Sequence, residues 1–289
     1  MSAFRNSDDI RGRYGLYDFG KKMMPELGFL IDMDGVVYRG DEAIPEAISF
    51  LEMIRDYPYL FLTNNSSTTP QAVLDGLVRL GIRHCGIENI LTSAMATASY
   101  LQQVTPGFTY YAVGGPGLHA ALAEYGTADE DAPDYVVVGE GEGLDYHAVT
   151  MGITMLLRGR SKLIGTNPDV NLDGTYNGRP AVLPGCGALI APFQVGSGKE
   201  PLFVGKPSQV MYQQGLNALG RKPGEVFMIG DRPETDIKGA AQIGIRTILV
   251  TTGRFKRDDP YPGVTPKPDL IVNSLAELDM AQLRAMVHG

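Results

Sequence analysis

The chain has no block of like charge, no apolar stretch near the ~20 residues that a membrane helix needs, and only two cysteines. Each absence removes a class of function. The 33 acidic and 25 basic residues leave a net charge of -8, which argues against nucleic acid or an anionic membrane as partner. Cys85 and Cys186 have neither CxxC spacing nor company, so they read as two buried thiols in a reducing compartment rather than as a disulfide or zinc site. His84, His119, His147 and His288 show no metal-ligand spacing and read as surface or packing residues. Residues 1–26 mix Arg, Asp, Gly and Lys without an apolar h-region, so they do not read as a signal peptide, and the expected location is the cytoplasm.

What is present is ample apolar content, 44% over 289 residues, enough for a core in each of two domains. Strand and helix patterns alternate almost throughout, the mark of an α/β fold on parallel sheet. A buried strand runs up to Asp32. A helix is expected over about 44–55, with Ala47, Ile48, Leu51 and Ile54 at helical spacing and Pro45 in its first turn. A strand from Tyr59 to Leu62 follows, then a helix capped by Thr69 and stopped at Gly81. Further strands are expected at 110–113, 135–138, 163–166, 225–229, 246–250 and 270–272. The segment 167–187, and 194–200 after it, read as loop, with a domain boundary near residue 200.

Ligands of open α/β sheets sit outside the carboxyl ends of the strands, so polar residues that end strands are the candidates. Asp32 and Asp34 are the first. Residues i and i+2 at a strand end face one side, and two carboxylates so placed repel each other unless a cation, a shared proton or a reaction uses the charge. Thr63 and Asn64 end the second strand, Lys206 lies in Gly-Lys-Pro, and Asp231 and Asp236 lie in Gly-Asp-Arg-Pro-Glu-Thr-Asp. Together they make a phosphoryl-transfer set. Lys206, the Thr63 hydroxyl and backbone N–H groups can hold equatorial phosphoryl oxygens, while Asp32, the Asp34 carbonyl and Asp231 suit Mg2+. The cation also offsets repulsion between the acids and an anionic substrate.

The order Asp-x-Asp-Gly, Thr-Asn-Asn-Ser, Gly-Lys-Pro and Gly-Asp-Arg-x-x-Thr-Asp resembles the haloacid dehalogenase superfamily of aspartate-nucleophile phosphatases. The forms of these motifs resemble its nitrophenyl phosphatase and ribonucleotide monophosphatase branch, and Thr166-Asn-Pro-Asp169 and Pro184-Gly-Cys-Gly187 look like cap segments of that branch. The resemblance implies a Rossmann-like core over residues 1–92 and 200–289 and an inserted α/β cap over 93–199; about 140 residues separate Thr63 from Lys206. It implies Asp32 as nucleophile, Asp34 as acid and base, Thr63, Asn64 and Lys206 on the phosphate, and Asp236 orienting Lys206 or a metal-bound water. The implied activity is Mg2+-dependent hydrolysis of a small phosphate ester, of a sugar, nucleoside or polyol, and the reading allows a homodimer. One departure stands out: Gly139-Glu-Gly-Glu142 occupies the place where the branch carries Gly-x-Asp-Arg.

Three other signals point elsewhere. A phospho-accepting receiver uses a similar set of acids, a Thr and a Lys, but is a single small domain without a second Asp two residues after its acceptor. Gly139-x-Gly141-x-Gly143 departs from dinucleotide spacing and carries two glutamates, so it is expected to be a flexible cap loop. Asp169-x-Asn171-x-Asp173-Gly174 starts like a calcium loop but has Pro180 where a bidentate Glu belongs, so it is expected to be a polar turn.

Overall fold

Gly28–Ile31 is a short apolar run buried along its whole length, as a central strand covered on both faces requires. In the computed structural model, which describes residues 27–263 and 265–288, it lies inside a six-stranded sheet. The strand order is Leu270–Val272, Arg246–Val250, Val226–Gly230, Gly28–Ile31, Tyr59–Thr63, Ile90–Thr92. Gly28–Ile31 pairs in parallel with Val226–Gly230 on one side and Tyr59–Thr63 on the other. The order reverses at that strand. A topological switch of this kind opens a crevice at the carboxyl end, and Asp32 is the next residue.

The described residues form two compact units, one taking the chain up to Leu62 with Leu74–Leu91 and Tyr212–Gly289, the other Thr63–Val73 and Thr92–Met211. In the first, Phe29 meets Phe50 edge-on at 5.6 Å and lies over Phe227 at 6.5 Å. Burying one such ring is worth ~1.5–3 kcal/mol. Phe50 comes from the helix Pro45–Met53, which also buries Ala47 and Leu51. The sheet of the second unit is parallel, in the order Leu202–Phe203, Lys162–Gly165, Tyr135–Val138, Thr109–Val113, Thr127–Ala128. The helices Tyr146–Arg158 and Ala191–Ser197 cover it through Met155, Leu156 and Phe193.

Strands expected from apolar runs form within a residue or so of their expected bounds. The segment expected as loop does not stay one. Asn171–Tyr176 and Arg179–Pro184 pair as an antiparallel hairpin, which takes up Asn171, Asp173 and Gly174 and corrects the polar-turn expectation. The hairpin has no apolar run to announce it. Its signal is Asn177-Gly178, whose φ values of 51° and 73° suit a two-residue turn of the primed kind. Gln194–Ser197, expected as loop, instead ends the helix Ala191–Ser197, although the residues after it up to Glu200 are not helical. The N-terminal 26 residues lie outside the described residues.

Candidate active site

Within the first unit the chain turns sharply after Asp32, and the turn is closed by Gly35 N–H donating to the Tyr38 carbonyl at 2.8 Å. Asp32, Asp231 and Asp236 are all buried, and each offers a carboxylate oxygen within 4.8 Å of the others. Like charges so close repel by ~3 kcal/mol per pair at an effective dielectric near 20. Three hard oxygen donors suit a hard divalent cation, which removes that repulsion. Asp34 has an exposed side chain outside this cluster.

The cluster is built by close approach. A Cβ on Gly253 would lie 1.9 Å from Asp231 Oδ2, and one on Gly35, which also has φ +77°, would lie 2.5 Å from the same atom. Arg254 N–H donates to Asp231 Oδ2 at 2.5 Å, and the Thr252 hydroxyl donates to the Gly35 carbonyl at 2.6 Å. Asp236 sits in a π-helical turn, Pro233–Ile237, and its Oδ2 accepts from Arg232 N–H at 3.0 Å, so it also closes the start of that turn. The buried Tyr212 hydroxyl donates to the Thr235 and Asp236 carbonyls. Burial, then the charges of Asp236 and Asp32, hold that phenol neutral far into the alkaline range, and burial with Asp34 and Asp32 does the same to Tyr38.

Sequence reasoning missed Thr252, Gly253 and Arg254. They follow the strand Arg246–Val250, and the strand-end question that found Asp32 and Asp231 would have found them too.

The second unit holds the other candidates. Thr63 Oγ1 accepts from Asn65 N–H at 3.1 Å. The Asn64 carboxamide clamps the backbone of Lys206: its Oδ1 accepts from Lys206 N–H at 2.8 Å and its Nδ2 donates to the Lys206 carbonyl at 3.0 Å. Its second N–H goes to Asp169 Oδ2 at 2.8 Å, so the side chain is spent on these partners. Lys206 itself is buried. The structure thus brings Thr63, Asn64 and Lys206 into one unit and Asp32, Asp231 and Asp236 into one cluster.

Gly139–Glu142, expected as a flexible loop, is tied down at Glu140. That residue is buried, its N–H donates to Ser66 Oγ, and its carboxylate accepts from Ser66 N–H and Asn167 Nδ2. Glu142 is exposed. His119 and His147 are exposed and His84 pairs with Glu52 at 2.6 Å, in keeping with surface roles; the His288 side chain lies outside the described residues. Cys186 is buried, Cys85 half-buried, and burial raises both thiols to about 11, which makes neither a ready nucleophile. A cavity of about 460 Å³ in the same unit lies at the amino ends of its strands, against Tyr135, Lys162 and Leu202, away from the residues that follow the carboxyl ends. No helix among the described residues is long and apolar enough to cross a membrane.

Comparison with known proteins agrees with the motif order. A family model described as haloacid dehalogenase-like hydrolase matches residues 29–128, and a second, HAD-hydrolase-like, matches 203–278. The chain is 37% identical to the 5'-nucleotidase YutF of Bacillus subtilis, over 86% of this chain and 96% of that protein. It is also 37% identical to an acid sugar phosphatase of Staphylococcus epidermidis, over 80% and 88%. Among solved structures, a thermostable NPPase of Geobacillus stearothermophilus superposes with a TM-score of 0.80 at 33% identity, over 89% of this chain and 99% of that one. NagD of E. coli K-12 gives 0.79 at 32% identity, with the same coverage. The chain therefore belongs to the haloacid dehalogenase-like hydrolases, in their nitrophenyl phosphatase branch, and is a phosphatase.

Proposed function

We propose that the protein hydrolyses a phosphate monoester of a small polar alcohol, a sugar, nucleoside or polyol, through a phosphoryl group carried on Asp32. The observation that carries this reading is the buried cluster of Asp32, Asp231 and Asp236 at the switch point of a parallel sheet. The names of the relatives, a 5'-nucleotidase and an acid sugar phosphatase, support the substrate class.

Asp32 attacks phosphorus, the ester P–O bond breaks, and Asp34 gives its proton to the departing alkoxide. Asp34, now a carboxylate, takes a proton from water as that water attacks phosphorus. The P–O bond to Asp32 breaks and inorganic phosphate leaves. The exposed carboxyl of Asp34 suits a group that exchanges protons with substrate and solvent. Thr63 and Lys206 hold the equatorial oxygens, with the Asn64 backbone beside them, since its carboxamide is engaged elsewhere. Asp32, Asp231 and the Asp34 carbonyl would hold Mg2+, with Asp236 beside them; when bound, the ion offsets charge on the phosphoryl oxygens. Residues 93–199 would form the cap that selects the alcohol, with 1–92 and 200–289 as the core. The two unbridged cysteines support a cytoplasmic setting.

A metabolite panel of phosphate monoesters, assayed with Mg2+ and again with chelator, tests the reading. Turnover is expected with Mg2+ only, and Asp32→Asn is expected to lose at least ~10^3-fold in kcat, as loss of a covalent nucleophile does. Full activity in Asp32→Asn would remove the nucleophile assignment.

A further inference from the structure

Glu140 is a buried carboxylate that the reaction does not use. Both of its oxygens face donors: Oε2 accepts from Ser66 N–H at 3.2 Å and Oε1 from Asn167 Nδ2 at 2.9 Å. Asn167 Nδ2 also donates to the Asn64 carbonyl at 2.8 Å, a carbonyl that accepts from the Ser93 hydroxyl as well. Asn167 Oδ1 holds Asp169 N–H at 3.0 Å, and Asn64 clamps Lys206 through both of its backbone groups. Space around the relay is closed. A Cβ on Gly205 would lie 2.4 Å from the Thr166 carbonyl oxygen and 2.7 Å from Asn64 Oδ1. The relay therefore runs Glu140, Asn167, Asn64, Lys206, every link inside one unit.

We infer that Glu140 is a positioning residue for Lys206, setting the lysine's backbone through Asn167 and Asn64. The inference rests on the reading of Lys206 as a phosphate-holding group. A carboxylate satisfies two opposing N–H donors. A carboxamide or a protonated carboxyl of the same shape turns one donor against a donor, so the relay loses a fixed end. Burial raises the Glu140 carboxyl to about 7, with the charge of Asp169 adding to the rise and the bonds from Asn167 and Ser66 opposing it. Asp169 and the Cys186 thiol are the titratable groups that face it. Because the folded-state value lies above the ordinary 4.5, stability that Glu140 lends below that pH is lost as pH rises through about 7. The charged form costs stability at the pH where it organises the relay. A residue kept for packing alone would have no use for that charge.

The test compares wild type, Glu140→Gln and Lys206→Ala as full-length proteins, reading KM and kcat for a turned-over phosphate monoester and the inhibition constant of inorganic phosphate. Glu140→Gln is expected to raise KM and the phosphate inhibition constant about tenfold at pH near 8, with kcat falling less. The ratio of variant to wild-type constants cancels the ionisation of phosphate itself. That ratio is expected to fall toward one by pH near 6, as wild-type Glu140 takes up its proton. The thermal midpoint of the variant relative to wild type is expected to rise over the same span toward alkaline pH. Asn167→Ala cuts the relay in its middle and is expected to raise the same constants, so the test stands if Glu140→Gln fails to fold. A folded Glu140→Gln with unchanged constants, or a ratio flat with pH, would overturn the inference while leaving the phosphatase reading intact. Unchanged phosphate inhibition in Lys206→Ala would overturn both the lysine's role and the positioning built on it.

Discussion

At the scale of single residues the site depends on what glycine leaves out. Asp231 lies against Gly35 and Gly253, and Asp236 against Gly230, where an added Cβ would come 2.3 Å from its Cβ and Cγ. These contacts let buried carboxylates approach one another closely enough to share a cation. Gly253→Ala puts a methyl group where Asp231 Oδ2 stands, so the carboxylate must shift and lose the Arg254 N–H bond at 2.5 Å. The expected outcome is a folded protein whose Mg2+ affinity, measured by calorimetry, falls ~10- to 100-fold, as for loss of a group that orients a metal ligand. Unchanged affinity would show that Asp231 does not hold the ion. The sequence displayed Asp231 through its motif, but nothing local told that a glycine 22 residues later fixes it. The departure from a familiar pattern was legible at Gly141 and Glu142, whereas Glu140 fills the variable position between them and Gly139 and had no mark of its own. Its partners, 74 and 27 residues away, had none either.

Elements show where periodicity is a sound guide and where it fails. Runs such as Phe29-Leu30-Ile31 and Val136-Val137-Val138 announce strands because both faces are buried and every position must be apolar. The hairpin Asn171–Pro184 has mostly exposed residues and two prolines, so its pattern is nearly silent and only the Asn-Gly turn marks it. Gly178 sits at φ 73° with nothing within 4 Å of an added Cβ, so substitution there meets backbone strain and no clash. Gly178→Ala is expected to weaken hydrogen-exchange protection of the hairpin's cross-strand amides by ~1–2 kcal/mol, and Gly178→Asn by clearly less. Equal loss in both variants would argue against the primed turn. The end of the helix Ala191–Ser197 hid for a different reason: Gly196 lies in its last turn and Gly198 caps it, and their composition outweighs the short apolar face that Phe193 buries.

For the whole molecule the motif order carried most of the weight. The alternation of strands and helices gave the α/β class, and a central strand with a neighbour from either end of the chain gave the switch point at Asp32. Chain order could name Asp32, Asp231 and Asp236 but not that all three share one cluster, since that depends on strands 200 residues apart pairing in parallel. In the proposed reaction, Asp32 carries the phosphoryl group between two displacements. The direct measurement is a rapid acid quench during steady-state turnover with Mg2+, followed by mass analysis of peptides. The expected result is a phosphorylated peptide containing Asp32, formed fast enough to support kcat and accumulating when Asp34→Asn slows the second step. Turnover with no phosphorylated peptide, or with the phosphoryl group on any other residue, would contradict it.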